Sequence, residues 1–241
     1  AKISNTSSFK RMYLLETHCH TKYTSACSRL DAETLVSLYL QNGYSGVVVT
    51  DHFLNGNTTV GCALPWEKQI DDFFIGYEKV KEEGEKRGLC VLAAFEYSYF
   101  GTDFLVYGMD GAFLKKHPEI MRMSVRAFLS FARANGALCV QAHPYREADY
   151  IDHIRLFPSD CGGVETVNAA RDGRCNRLAD ILAEAYSLPK TGGSDLHAAG
   201  QKLLSGVETD IPIESIADFI AAVREGRAKP FLKENVFSPP K

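Results

Sequence analysis

The chain has 241 residues, 45% of them hydrophobic, with 27 basic against 30 acidic side chains and a net charge of −3. That length suits one domain of barrel or open α/β type, since such folds often run to about 200 to 250 residues. A charge so close to balance offers no field to hold a long polyanion, which argues against tight duplex DNA binding. No apolar stretch approaches the roughly 20 residues of a membrane-spanning helix, and Ala1-Lys2-Ile3-Ser4-Asn5 shows no signal-peptide pattern, so the expectation is a soluble, cytoplasmic protein.

Apolar runs recur along the chain at about 13–17, 46–50, 89–95, 104–107, 137–142, 163–167 and 189–193. They are continuous rather than alternating, as expected of parallel strands covered on both faces. Helical spacing fills most of the gaps. Residues 31–42 open on Asp31, a good N-cap, and end before Gly43. Residues 66–87 place Ile70, Phe73, Phe74, Tyr77 and Val80 on one face and end in a charged run that reads as a solvated surface. Further helices fit 122–135, 174–186 and 214–224. Strand and helix alternating about seven times predict a parallel α/β barrel rather than a doubly wound sheet. No GxGxxG or GxxxxGK[ST] cradle is present. The seven cysteines (19, 27, 62, 90, 139, 161, 175) are scattered, with no CxxC pair, and most read as reduced core residues. The tail from Phe237 is expected to fray.

The chemistry collects where the strands end. His18 and His20, two apart on the first strand, share a face and can offer two nitrogens to one cation. The second run is followed by Asp51-His52, the third by Glu96, the fifth by His143-Pro144, and the seventh by Asp195 and His197 within Gly193-Ser-Asp-Leu-His. Taken singly, each has an ordinary explanation: His52 as a helix cap, His143 as a satisfied core imidazole, Asp195 as a turn residue. Together, at the C-terminal mouth of a parallel barrel, so many imidazoles and carboxylates would be costly to desolvate without a cation.

The set HxHT, TDH, a strand-end Glu, AHP and GSDxH, in order from about residue 13 to residue 200, resembles the PHP (polymerase and histidinol phosphatase) family of metal-dependent phosphoesterases. The resemblance implies a distorted (β/α)7 barrel, with core about 13–232 of a single domain spanning 1–241, and its metal site at the C-terminal ends of the strands. It implies two or three divalent ions, manganese, zinc or iron. His18, His20, Glu96 and Asp195 would hold a first ion, with Glu96 bridging to a neighbour. His52 and His197 would hold a second, and His143 with Glu96 a third. Two positions depart from the family pattern. Where many members carry an Asp or His after HxHT, the nearest substitute is Cys27, either a thiolate ligand or an ordinary loop residue. Where many carry a His after the bridging Glu, the segment offers Asp103.

The implied activity is hydrolysis of phosphate esters by a hydroxide shared between metal ions about 3.5 to 4 Å apart. Glu96, Asp195 and His197 are the candidate catalytic residues. Arg146, Arg171 and Asn168 follow strand ends and are candidates to hold the phosphate, although either arginine reads equally well as a surface residue. Arg29 is a weaker candidate, and Glu165, which with Asn168 ends another strand at the same rim, reads equally as a rim residue or as a partner that orients a histidine. The expected substrate is a small phosphorylated metabolite or nucleotide, as a monoester before a diester, with no long nucleic acid and no membrane. A phosphodiesterase or short-oligonucleotide nuclease, and a metal-stabilised regulatory or binding module, are the alternative readings.

Overall fold

A computed structural model describes residues 12–239; the chain start used in the signal-peptide argument, and residues 240–241 of the tail, lie outside them. Seven strands run in chain order around one sheet: β1 (Tyr13–Cys19), β2 (Gly46–Val49), β3 (Cys90–Tyr99), β4 (Thr102–Tyr107), β5 (Leu138–Ala142), β6 (Gly163–Asn168) and β7 (Lys190–Gly193). Helices α1 (Ala32–Gln41), α2 (Trp66–Phe73), α3 (Ile75–Arg87), α4 (Gly111–Lys115), α5 (Val125–Ala134), α6 (Gly173–Ala185) and α7 (Ile216–Arg224) occupy the connections. Local chemistry sets their starts: the side chains of Asp31, Ser124, Asp172 and Ser215 each accept a backbone N–H three residues on.

The sheet curls into a nearly closed, distorted barrel. Beyond β7 the chain meets β1 again, where Asp195 N donates to His18 O at 2.8 Å and His20 N to Leu196 O at 3.1 Å. Two further strands, β8 (Leu203–Thr209) and β9 (Lys229–Glu234), extend the other edge, with β8 antiparallel to the first half of β1. β1 thus shares its partners by halves, β8 below and the β7 end above.

Several expectations need correction. β4 runs antiparallel to both β3 and β5, because a two-residue turn at Phe100-Gly101 returns the chain as a hairpin instead of a helical crossover. β3 continues through Tyr99, so Glu96 lies within a strand and not after it. The helix expected over 66–87 is two helices that meet at Phe74. β8 and β9 were not expected: Ser205 and Gly206 interrupt the apolar run of the first, and the second is a largely exposed edge bearing Pro230. Of the seven cysteines only Cys19, Cys139 and Cys161 are buried. The tail is pinned as far as Ser238, which exchanges hydrogen bonds with the Gln41 side chain. Among the described residues, no helix is long and apolar enough to cross a membrane.

Candidate metal centre

β1 carries an irregularity between Glu16 and Cys19 that decides the site. Glu16 turns outward, and its Oε1 accepts the backbone N–H groups of Thr17, His18 and Ser194, each at 2.9 Å. Its Oε2 accepts the hydroxyl of Tyr39 on α1 at 2.9 Å. A carboxylate that gathers three N–H groups fixes the bulge, and with it the inward aim of His18 and His20. Burial pushes the Glu16 carboxyl up to about 7, against the pull of these hydrogen bonds.

The imidazoles and carboxylates then converge. His18 Nε2 lies 3.4 Å from Glu96 Oε1 and 3.6 Å from Asp195 Oδ1, and His20 Nε2 lies 3.5 Å from Glu96 Oε2 and from Asp195 Oδ1. These separations are long for hydrogen bonds. They match the edges of a coordination polyhedron, since ligands about 2.1 Å from one ion in a tetrahedral arrangement stand about 3.4 Å apart. Consistent with that reading, His18 Nε2 and His20 Nε2 are buried with no hydrogen-bond partner, a costly arrangement unless a cation completes it. His20, His52 and His197 form a second group of mutually close donors, and Glu96, Asp103 and His143 a third. Glu96 sits between them: Oε1 is 3.2 Å from His143 Nε2, and Oε2 is 2.7 Å from His52 Nδ1. The donor set fits divalent ions.

Hydrogen bonds on the far side of each ring fix which nitrogen is free. His18 Nδ1 donates to Glu165 Oε1 at 2.9 Å, and His197 Nδ1 to the Asp195 carbonyl at 2.9 Å. Ser25 Oγ gives its proton to Asp51 Oδ1 at 2.7 Å, so it can only accept from His20 Nδ1 at 3.1 Å. All three Nε2 atoms therefore point into the cluster with a lone pair. Without a cation among them the charges divide: burial opposes protonation of both rings, but Glu165, Asp195 and Glu96 hold His18 well above the ordinary imidazole value, and Cys27 and Asp195 raise His197, so a metal at either Nε2 would displace a proton. Burial, and then the neighbouring His52, push His20 down to about 3, leaving it neutral. For Glu96 and Asp195 burial opposes ionisation, but His52 and His18 beside Glu96, and His18 and His20 beside Asp195, hold both carboxyls well below the usual range. His143 and Asp195 also have positive φ, 27° and 50°, a backbone strain typical of functional positions.

Comparison with known proteins bears on the fold. Residues 173–228, from α6 through α7, match the PHP-associated family model. That match covers 56 of the 241 residues, and the solved structures below share the fold. The fold resembles a two-domain protein from Bacteroides vulgatus ATCC 8482 containing a predicted PHP-like metal-dependent phosphoesterase, at TM-score 0.68 and 15% identity over 92% of this chain. The chain spans 65% of that protein's length. It also resembles PsfC from Pseudomonas syringae PB-5123 (TM-score 0.58, 16% identity, covering 92% of this chain and 91% of that one). A third likeness is to an amidohydrolase from Chromobacterium violaceum solved with bound sulfate and no metal (TM-score 0.56, 15% identity, covering 86% and 96%). No curated protein matches.

Within the PHP fold the seven residues named from the motifs, His18, His20, His52, Glu96, His143, Asp195 and His197, all meet in one cluster. Asp103 joins it through His143. Cys27 lines the cavity; burial raises its thiol, but hydrogen bonds with His197 and His52 dominate and lower it to about 6. Arg146 and Arg171 line the same cavity of about 600 Å3 and reach Asp103 Oδ2 and Asp195 Oδ2, each at 3.4 Å. Asn168, expected at the substrate, is instead fully buried behind the site, donating to Glu165 Oε2 at 2.9 Å. Arg29 is exposed and does not line the cavity. Sequence reasoning missed Glu16, Ser25 and Asp51 as orienting groups. The only trace of them was an acid two residues before His18 and another beside His52.

Proposed function

We propose that this chain is a metal-dependent hydrolase of phosphate monoesters, acting on a small phosphorylated metabolite. The observation that carries the reading is the four near-equal separations of 3.4 to 3.6 Å among His18, His20, Glu96 and Asp195. His18, His20, Glu96 and Asp195 would hold one ion, and His20's neighbours His52 and His197, with Cys27 and Glu96, a second. Glu96, His143 and Asp103 would hold a third. Imidazole, thiolate and carboxylate donors together suit zinc, iron or manganese. Bound divalent ions supply Lewis acidity, lowering the pKa of water toward 7 and neutralising phosphate charge.

The chain's own residues do the rest. Arg146 and Arg171 each have a buried Nε without a partner, and their guanidinium edges are held only loosely by the cluster carboxylates, so they are free to grip phosphate oxygens. Asp195 reaches both ways: Oδ1 faces His18 and His20, and Oδ2 faces Arg171. Ionised as it is, Asp195 would serve as a ligand that also anchors Arg171, and not as the acid for the leaving group. Groups close at hand fill both places where the family pattern is broken, Cys27 beside His52 and His197 and Asp103 beside His143. That favours an active enzyme over a metal-stabilised binding module.

The test is a screen of phosphorylated metabolites with protein reconstituted in manganese and in zinc. Turnover should need metal and should be lost in His20→Ala and Asp195→Ala while circular dichroism stays native. Hydrolysis that survives either substitution would show the assigned cluster is not the site.

A further inference from the structure

The cavity mouth carries two large rings that folding does not use. Phe100 is 73% exposed and Tyr150 66%, and both line the cavity that holds the donor cluster and the two arginines. Phe100 occupies the tight turn between β3 and β4 with φ of 49°, followed by Gly101 at 79°. Such turns favour Asn, Asp or Gly, and a bulky side chain there is strained. Edge contact with Tyr99 is small return for an exposed aromatic at a strained position.

Both rings are held in place. Phe100 O accepts Arg155 Nη1 at 2.9 Å, and the Arg155 guanidinium stands 5.9 Å from the Phe100 ring centre. The Arg146 guanidinium stands 5.4 Å from the Tyr150 ring, while its Nη2 reaches Asp103. The two loops also touch: a Cβ on Gly101 would lie 2.7 Å from Ile151 and 3.4 Å from Tyr150. One arginine therefore links the cluster to an aromatic lip, both rings lining the cavity that holds the donor cluster.

We propose that Phe100 and Tyr150 form a stacking subsite for a flat aromatic ring, such as a nucleobase, carried on the alcohol side of the phosphate ester. The proposal rests on the phosphoesterase reading for the position of the phosphate. It narrows the substrate class, because an aliphatic alcohol would leave both rings in water, whereas a flat ring stacks on them and on the guanidinium plane.

The probes are AMP and ribose 5-phosphate, the same ester with and without a base, tested on the zinc-loaded full chain. Wild-type kcat/KM should favour AMP by roughly tenfold, in line with single-ring stacking. Phe100→Asn, which suits the positive φ, and Tyr150→Ala should each bring that ratio down toward one. A ratio unchanged by both substitutions, or absent in the wild type, would overturn the subsite. Saturation-transfer NMR with adenosine, which has no ester to cleave, separates this from the broader reading. Saturation of base protons in wild type and its loss in the variants would support the subsite even if neither ester turned over, a result that would count against the phosphoesterase reading alone. No base saturation alongside rapid hydrolysis of both esters would overturn the subsite and leave that reading standing.

Discussion

Glu165→Gln is a one-atom change that the geometry makes expensive. Glu165 accepts three N–H groups, from His18 Nδ1, His143 N and Asn168 Nδ2, each at 2.9 Å. Glutamine keeps one acceptor oxygen. If that oxygen faces His143 and Asn168, the new amide confronts His18 Nδ1 and drives its proton to Nε2, the nitrogen aimed at Glu96 and Asp195. Metal affinity should then fall about 10- to 100-fold, the usual effect of losing a partner behind a ligating histidine. If the oxygen faces His18, donor meets donor at His143 N and Asn168, at about 1–3 kcal/mol for each buried group left unpaired. Asn168 cannot turn its oxygen to help without dropping Ala170 N. Competition of the protein with a chromophoric chelator, beside a thermal melt, reads both outcomes. Wild-type metal affinity together with wild-type stability in Glu165→Gln would refute the reasoning.

Four further outcomes follow from the same geometry. Gly193→Ala would put a Cβ 2.3 Å from His18 Cβ and 2.6 Å from Glu165 Oε1, so metal binding should weaken at least tenfold by the same chelator assay, with overpacking costing about 1–3 kcal/mol; unimpaired binding would mean His18 is not a ligand. Glu16→Leu should loosen the β1 bulge and lower metal affinity, while Glu16→Gln, still an acceptor for the three N–H groups, should retain most of it; equal losses would assign Glu16 a charge role instead. Stripping metal with EDTA should lower the Tm by about 5 to 10 °C relative to protein at a hundredfold excess of metal over Kd, and a Tm indifferent to EDTA would leave the cluster without a cation. In metal-free protein the Cys27 thiol, lowered to about 6, is ionised at pH 7 and should react readily with iodoacetamide, its rate falling as the pH drops below 6, whereas zinc should protect it. Reaction unaffected by zinc would remove Cys27 from the donor set.

The clustered imidazoles and carboxylates were legible because metal chemistry restricts residue type, and a barrel puts every strand end at one mouth. His18, His52, Glu96, His143 and Asp195 could be named from the residue that follows, or nearly follows, an apolar run. The two strands added beyond β1 were not legible. β8 carries Ser205 and Gly206 where a core strand would be apolar, since Ser205 hydrogen-bonds to Val167 O and Phe231 O. The hairpin at Phe100-Gly101 broke the turn rule, and the reversal of β4 was missed with it. Asn168 looked like a substrate ligand because a strand end predicts location but not depth. Glu16, Ser25 and Asp51 act through backbone and ring nitrogens, contacts that no local pattern announces.

We propose that the inward imidazoles and carboxylates are arranged to hold cations. Anomalous diffraction from crystals soaked in manganese or zinc tests it most directly. Two or more peaks are predicted, one among His18, His20, Glu96 and Asp195 and another beside His52 and His197. Fully soaked crystals with no peak within coordination distance of these side chains would contradict it.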